Sequence, residues 1–156
     1  MTNHIVLFQP EIPGNTGTIA RTCAGTDTNL HLIKPLGFST DDKMLKRAGL
    51  DYWDTVNITY HESIEAFFED TEGAYYLITK FGDHIYSDFD FSDVEQDHYF
   101  IFGRETTGLP DWVKDAYNNT ALRIPMNDNI RSLNLSNTAS LIIYEVLRQQ
   151  DFPSLK

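Results

Sequence analysis

Four short runs of this chain are apolar almost without interruption: His4–Phe8 (HIVLF), Leu30–Ile33 (LHLI), Ala74–Thr79 (AYYLIT) and Tyr99–Phe102 (YFIF). A strand with one wet face alternates polar and apolar residues, whereas a run that does not alternate is covered on both faces. Between the runs lie turn signals and helical patterns. Pro10, Pro13 and Gly14 turn the chain after the first run, and Asn15 or Thr16 can cap a helix that continues to about Ala24. Asp54–Tyr60 is a further strand candidate, and Ser63–Asp70 reads as an acidic helix with Ile64, Phe67 and Phe68 inward. Asp111–Tyr117 reads as a short helix with Trp112 and Val113 inward, and Ala121–Ile124 returns as a strand. Strands alternating with helices predict an α/β fold, a parallel sheet flanked by helices, in a single domain spanning residues 1–156.

Composition narrows the function classes. With 41% hydrophobic and 13% aromatic residues the chain can build a real core. No run approaches the roughly 20 apolar residues of a membrane span, and the first strand begins too early for a signal peptide. One cysteine, Cys23, rules out an intrachain disulfide framework, so a cytoplasmic location is expected. The five histidines have no metal-ligand spacing, and no metal site is expected. Neither GxxxxGK[ST] nor GxSxG occurs, which sets aside nucleoside triphosphate sites and nucleophile-elbow hydrolases. The formal charge of −11 is unevenly spread: residues 62–97 hold eleven acids and one base, Lys80, and the remainder is near neutral. Lys43, Lys46 and Arg47 form a small basic cluster after the capping pair Asp41-Asp42, readable either as a solvated face or as a contact for a polyanion.

Three segments stand out from this background. Around Arg21, the helix carrying Gly17, Ala20, Cys23, Ala24 and Gly25 has little side-chain bulk, so a long cation there either reaches a neighbouring loop or is an ordinary surface arginine. In Gly103–Pro110 (GRETTGLP), Glu105 sits between glycines that allow close approach to a ligand. Arg123–Gln150 joins Ile124-Pro125-Met126 to a glycine-free loop rich in Asn, Ser and Arg and then to a long helix. Asn134 or Ser136 can cap that helix, and Leu141, Ile142, Tyr144 and Val146 form its apolar side. A loop held between a strand end and a helix start is where α/β proteins place ligands, though it is also an ordinary connection.

Taken together, PEIPGNTGTIAR, FGRETTGLP and IPMNDNIRSLNLSNTAS resemble, in order and spacing, the three motifs of the SPOUT superfamily of RNA methyltransferases. The resemblance runs from Ile5 to about Gln150 and is nearest to the small tRNA 2′-O-methyltransferases of the TrmL (YibK-like) type. It implies a C-terminal trefoil knot, which periodicity cannot reveal because threaded chains are rare. It implies S-adenosylmethionine as cofactor, held by Leu77, Ile78, Thr79, Gly103, Ile124, Met126, Ser132 and Leu133. It also implies a homodimer built on the first and last helices, acting on the anticodon stem-loop of tRNA. The expected reaction is 2′-O-methylation of the wobble nucleotide 34, cytidine or modified uridine, in leucine tRNAs. The alternatives are another tRNA or ribosomal RNA site, or a non-catalytic RNA-binding dimer.

Within that resemblance Arg21 is the catalytic candidate, and Asn15, Glu105, Arg131, Asn134 and Ser136 are expected on the substrate side. Methyl transfer to a hydroxyl demands in-line alignment and removal of one proton. Arginine is a poor base, since its pKa exceeds about 12, so Arg21 is either a phosphate-assisted base or a clamp on that phosphate. A dimer could gather basic residues from both copies around one pocket, with the acidic block facing away.

Overall fold

The computed structural model describes residues 2–39, 43, 45, 47 and 53–156. In chain order the elements are β1 (Asn3–Phe8), α1 (Pro13–Thr26), β2 (Asn29–Ile33), β3 (Ile58–His61), α2 (Ile64–Asp70) and β4 (Ala74–Ile78). There follow β5 (His84–Ile85), β6 (His98–Phe102), α3 (Asp111–Ala116), β7 (Ala121–Arg123) and α4 (Leu135–Gln149). Residues 43, 45, 47 and 53 are helical; the expected caps Asp41 and Asp42, and Lys46 of the basic cluster, lie outside the described residues.

Among the described residues the strands form one seven-stranded sheet of order β3-β2-β1-β6-β4-β7-β5. Every pairing is parallel. The uninterrupted apolar runs are explained by two cores. Odd positions of β1 (Ile5, Leu7) and even positions of β6 (Phe100, Phe102) enter a cluster with Ile19, Ala20 and Cys23 of α1 and Ala139, Ile142, Ile143, Val146 and Leu147 of α4. Their neighbours Val6, Phe8, Tyr99 and Ile101 face the other way, onto Ile64 and Phe67 of α2 and Val113 of α3. No helix among the described residues is long and apolar enough to cross a membrane.

Several boundaries differ from the sequence reading. Helix α1 starts at Pro13, with Ile12 at the N-cap and no side-chain cap, so Asn15 and Thr16 lie inside the helix. Proline at the first position tolerates this because its missing N–H would be unpaired there. The strand expected from Asp54 is only Ile58–His61. Trp112 is 46% exposed rather than inward, because Val113 fills the core position of so short a helix. Phe68 lies partly buried, its ring stacked on Tyr117. In α4 the buried residues include Ile142, Ile143, Val146 and Leu147, whereas Leu141 and Tyr144 are exposed. Segment 80–97, left without a role by the sequence, is a strap. Fully buried Phe91 joins the core, its N–H donates to Gln149 Oε1 (2.6 Å), and Gln150 Nε2 donates to the Phe91 carbonyl (2.9 Å).

A buried chain of three histidines crosses β1, β2 and β3 on the α2 face. His4 Nε2 lies 2.9 Å from Asp97 Oδ1, His4 Nδ1 lies 3.0 Å from His31 Nε2, and His31 Nδ1 lies 2.9 Å from His61 Nε2. The carboxylate only accepts, so neutral rings each donating from Nε2 satisfy every link. Burial lowers the pKa of all three, that of His31 from 6.5 to about 3. An unfolded histidine takes up a proton below about pH 6.5 while folded His31 refuses it until near pH 3, so this stability is complete above 6.5 and drains away below it. The expected loss at His31 is about 2 kcal/mol between pH 6.5 and pH 5. Urea titrations across that range should therefore show a steeper fall in midpoint for the wild type than for His31→Leu. Equal slopes would contradict the assignment.

Candidate active site

The sequence places its turn-forming residues just beyond the C-terminal ends of β4, β6 and β7, and the three loops meet there. They enclose a cavity of about 500 Å³, lined by Ile78–Phe81 after β4, Phe102–Leu109 after β6 and Ile124, Met126 and Ser132–Leu135 after β7. Ile12 and Asn15, where α1 begins, close another side. The chain reverses direction across the sheet here, since β2 and β6 flank β1 on opposite sides. Such a switch point leaves a crevice beyond the strand ends.

Each loop is held by specific contacts. A side chain on Gly103 would place its Cβ 2.4 Å from the Gly108 carbonyl carbon, so the turn closes only with glycine. Gly108 itself has φ of 72°, the left-handed region that favours glycine. Arg104 and Gly108 exchange backbone hydrogen bonds of 3.2 and 3.0 Å, folding residues 104–108 into a small hairpin. This hairpin is clasped to the loop before α1 by two glutamates. The Glu11 N–H donates to Glu105 Oε2 (2.9 Å), while Glu11 Oε1 accepts from the Thr106 N–H (3.1 Å) and hydroxyl (2.8 Å). The hydrogen bonds from Thr106 hold the Glu11 pKa below its ordinary value, whereas burial pushes that of Glu105 up. Glu105 Oε1 is buried without a hydrogen-bond partner among the described residues, so the carboxylate is held by the clasp through Oε2 alone.

The third loop is fixed by Asn134. Its Oδ1 accepts from the Ser136 N–H (2.9 Å) and hydroxyl (2.5 Å) and the Asn137 N–H (3.2 Å), capping α4, and its Nδ2 donates to Asn15 Oδ1 (3.2 Å). The cap satisfies helix donors that would otherwise be orphaned and ties α4 to α1 at the pocket.

The structure brings together most of the residues chosen from sequence. Ile78, Thr79, Gly103, Ile124, Met126, Ser132 and Leu133 line the cavity, with Asn15, Glu105 and Asn134. Leu77 does not: successive strand residues face opposite ways, and with Ile78 toward the α1 and α4 side Leu77 is buried in the other core. Ser136 is buried and serves the Asn134 cap. Arg131 is exposed beside Ser132 but outside the lining. Arg21 is exposed on the outer side of α1, also outside the lining. Sequence reasoning missed Glu11, Lys80, Phe81 and Lys114. Lys80 and Phe81 had a signal, a cation and an aromatic directly after a buried strand; the clasp had none, since its partners lie 94 residues apart.

Local charge opposes the total. Among the described residues, the charged ones lining the cavity are Lys80, Arg104 and Lys114 against Glu105. The strap's acids Asp93 and Asp97 lie at the other end, where Asp97 meets His4 and the Asp93 carbonyl meets His98, both at strand starts. Cys23, buried and with its thiol pushed up to about 12, plays no part. Among the described residues no group of three His, Cys, Asp or Glu is placed to hold a metal ion.

Comparison with known proteins places this geometry. Residues 2–144 match the SpoU rRNA Methylase family. A protein of Listeria monocytogenes serotype 4b (strain F2365), provisionally named a tRNA (cytidine(34)-2′-O)-methyltransferase, is 66% identical over 156 residues, or 99% of this chain and 92% of its own. A structure solved in work on the 2-OH methylation of C/U34 on tRNA has a TM-score of 0.86 and 39% identity, covering 96% of each chain. The SpoU methyltransferase AviRb from Streptomyces viridochromogenes, in complex with the cofactor AdoMet, has a TM-score of 0.80 and 25% identity, covering 95% of this chain and 60% of its own.

The tight turn at Gly103 gives a direct test. Gly103→Ala forces backbone apart and is expected to destabilise the protein by about 1–3 kcal/mol and to open the cavity. Thermal unfolding and titration with S-adenosylhomocysteine should both show the loss; an alanine variant of wild-type stability and affinity would show that the close approach is dispensable.

Proposed function

The chain belongs to the SpoU rRNA methylase family and has the α/β SPOUT fold, and from this premise we propose that it methylates the ribose 2′-hydroxyl of the wobble nucleotide 34 of tRNA. S-adenosylmethionine is the methyl donor, supplying a methyl group already activated on a sulfonium. The observation that carries the reading is likeness along the whole length: relatives named for, or studied in, methylation at position 34 align over at least 95% of this chain. The cavity supports it, because its volume and its mixed lining of apolar and polar residues suit a ligand with both apolar and hydrogen-bonding parts. The acceptor is cytidine or modified uridine, and leucine tRNAs are the substrates we propose.

In this reading Ile78, Thr79, Gly103, Ile124, Met126, Ser132 and Leu133 hold the donor, with Leu77 bracing the wall from the core. Asn15, Glu105, Asn134 and Arg131 orient the nucleotide, and Ser136 keeps Asn134 in its rotamer. Arginine is a poor general base, so we assign Arg21 an electrostatic part. Its role is to clamp an RNA phosphate and stabilise the 2′-oxygen as its proton passes to solvent water, the methyl bond to sulfur breaking as the bond to oxygen forms. We further propose that the segment after β7 is threaded as a trefoil knot. Support comes from β7 lying between β4 and β5, with the loop joining those strands against it: the Thr79 N–H donates to the Leu122 carbonyl (2.9 Å) and Arg123 Nη1 to the Gly82 carbonyl (3.0 Å).

Arg21 lies outside its own chain's cavity, and a homodimer built on α1 and α4 accounts for that. Those helices pack together, with Thr22 Oγ1 3.3 Å from Ser140 Oγ, and leave Leu141 (44% exposed) and Tyr144 (50%) facing outward. A second copy on this face would cover them and bring its Arg21 toward the neighbouring pocket. We place the protein in the cytoplasm, as a single domain working without a metal.

Two measurements test these assignments. Purified protein, labelled S-adenosylmethionine and bulk tRNA from a strain lacking the gene should give label in tRNA, surviving a chelator, and Arg21→Ala should cut transfer about 100-fold while sparing cofactor affinity. Wild-type turnover by Arg21→Ala would overturn its role. Tyr144→Glu should give a folded monomer inactive on tRNA, whereas Leu147, only 1% exposed, belongs to the core and would test folding instead. A folded monomer with the wild-type rate would contradict the composite site.

A further inference from the structure

Phe81 is 78% exposed, at the mouth of the cavity. Slack in the loop does not explain this exposure, because the backbone on both sides of Phe81 is pinned. Its N–H donates to Thr79 Oγ1 (3.3 Å) and the Gly82 N–H to the Thr79 carbonyl (3.1 Å), closing a turn. The Gly82 carbonyl accepts from Arg123 Nη1, and a Cβ at Gly82 would stand 2.7 Å from the Ala121 carbonyl oxygen. The chain thus presses residue 82 against β7 and leaves the ring beside it standing in water. Lys80 Nζ lies over that ring, 5.1 Å from its centroid.

A free aromatic face with a cation beside it matches one nucleotide of a single strand: the base stacks and the phosphate pairs with the cation. The excess of basic side chains around the cavity draws the same polyanion to a chain that is otherwise strongly acidic. We propose that Phe81 is the stacking residue for the base of the nucleotide whose ribose enters the cavity, with Lys80 holding an adjoining phosphate. The proposal rests on the RNA 2′-O-methyltransferase reading. It also explains how one protein accepts cytidine and modified uridine alike, since stacking is tolerant of base identity while hydrogen bonding to base edges is not.

The test uses the full-length protein with S-adenosylmethionine and bulk tRNA, comparing wild type, Phe81→Leu and Phe81→Tyr. Leucine keeps apolar bulk and removes the π face, so it is expected to raise KM for tRNA about tenfold with kcat little changed, and tyrosine should restore KM. Affinity for S-adenosylhomocysteine, read by calorimetry without RNA, should stay at its wild-type value in both. An unaltered KM in Phe81→Leu would overturn the proposal. So would an equal loss of S-adenosylhomocysteine affinity, which would make Phe81 a wall for the cofactor. Absence of transfer by the wild type would instead bring down the tRNA reading itself, and this proposal with it.

Discussion

The architecture depends on a strand that arrives late and goes inside. β4 and β5 are consecutive in sequence, yet β7, the last strand of the chain, lies between them. That insertion obliges residues 79–83 to pass the end of β7 at close range, which is why Gly82 has no room for a side chain and why its carbonyl is taken by Arg123. The segment after β7 lines the same cavity as the loops following β4 and β6. Three loops that would otherwise splay over a sheet edge are drawn around one cavity. The glutamate clasp and the Asn134 cap then fix the rim.

The same geometry reconciles an acidic protein with a polyanionic substrate. Asp93 and Asp97 lie on a strap tied to the end of α4 and to the starts of β1 and β6, away from the strand ends that open on the cavity. Helix α4 is 15 residues long, about 22 Å at the usual rise, and separates the Asn134 end from the Gln149 end by roughly three Debye lengths at physiological salt. Basic side chains at the cavity are therefore little offset by the distant acids. Net charge describes solubility here, and the distribution describes binding.

Much of this was legible beforehand, for identifiable reasons. Non-alternating apolar runs require a doubly covered sheet, and the sheet is parallel and doubly covered. Gly103 and Asn134 could be singled out because a tight turn and a helix cap each demand a particular residue type. Leu77 was misplaced because a run of residues around Ile78 was assigned to the cavity together, although strand parity sends neighbours to opposite faces. The start of α1 was misjudged because Asn15 and Thr16 look like caps while Pro13 makes a cap unnecessary. Trp112 and Tyr144 were taken as inward by size and period, but short α3 has room for one core residue and α4 buries the face one step away. The clasp between Glu11 and Thr106 is a tertiary fact with no local trace.

The central claim is that the loops after β4, β6 and β7 form a single donor-binding unit. Amide hydrogen exchange with and without S-adenosylhomocysteine tests it most directly, because each loop reports separately on protection. Residues 79–82, 103–109 and 124–134 should gain protection together as the ligand saturates. Protection confined to one loop, or found instead at the opposite end of the sheet around residues 94–98, would contradict the account.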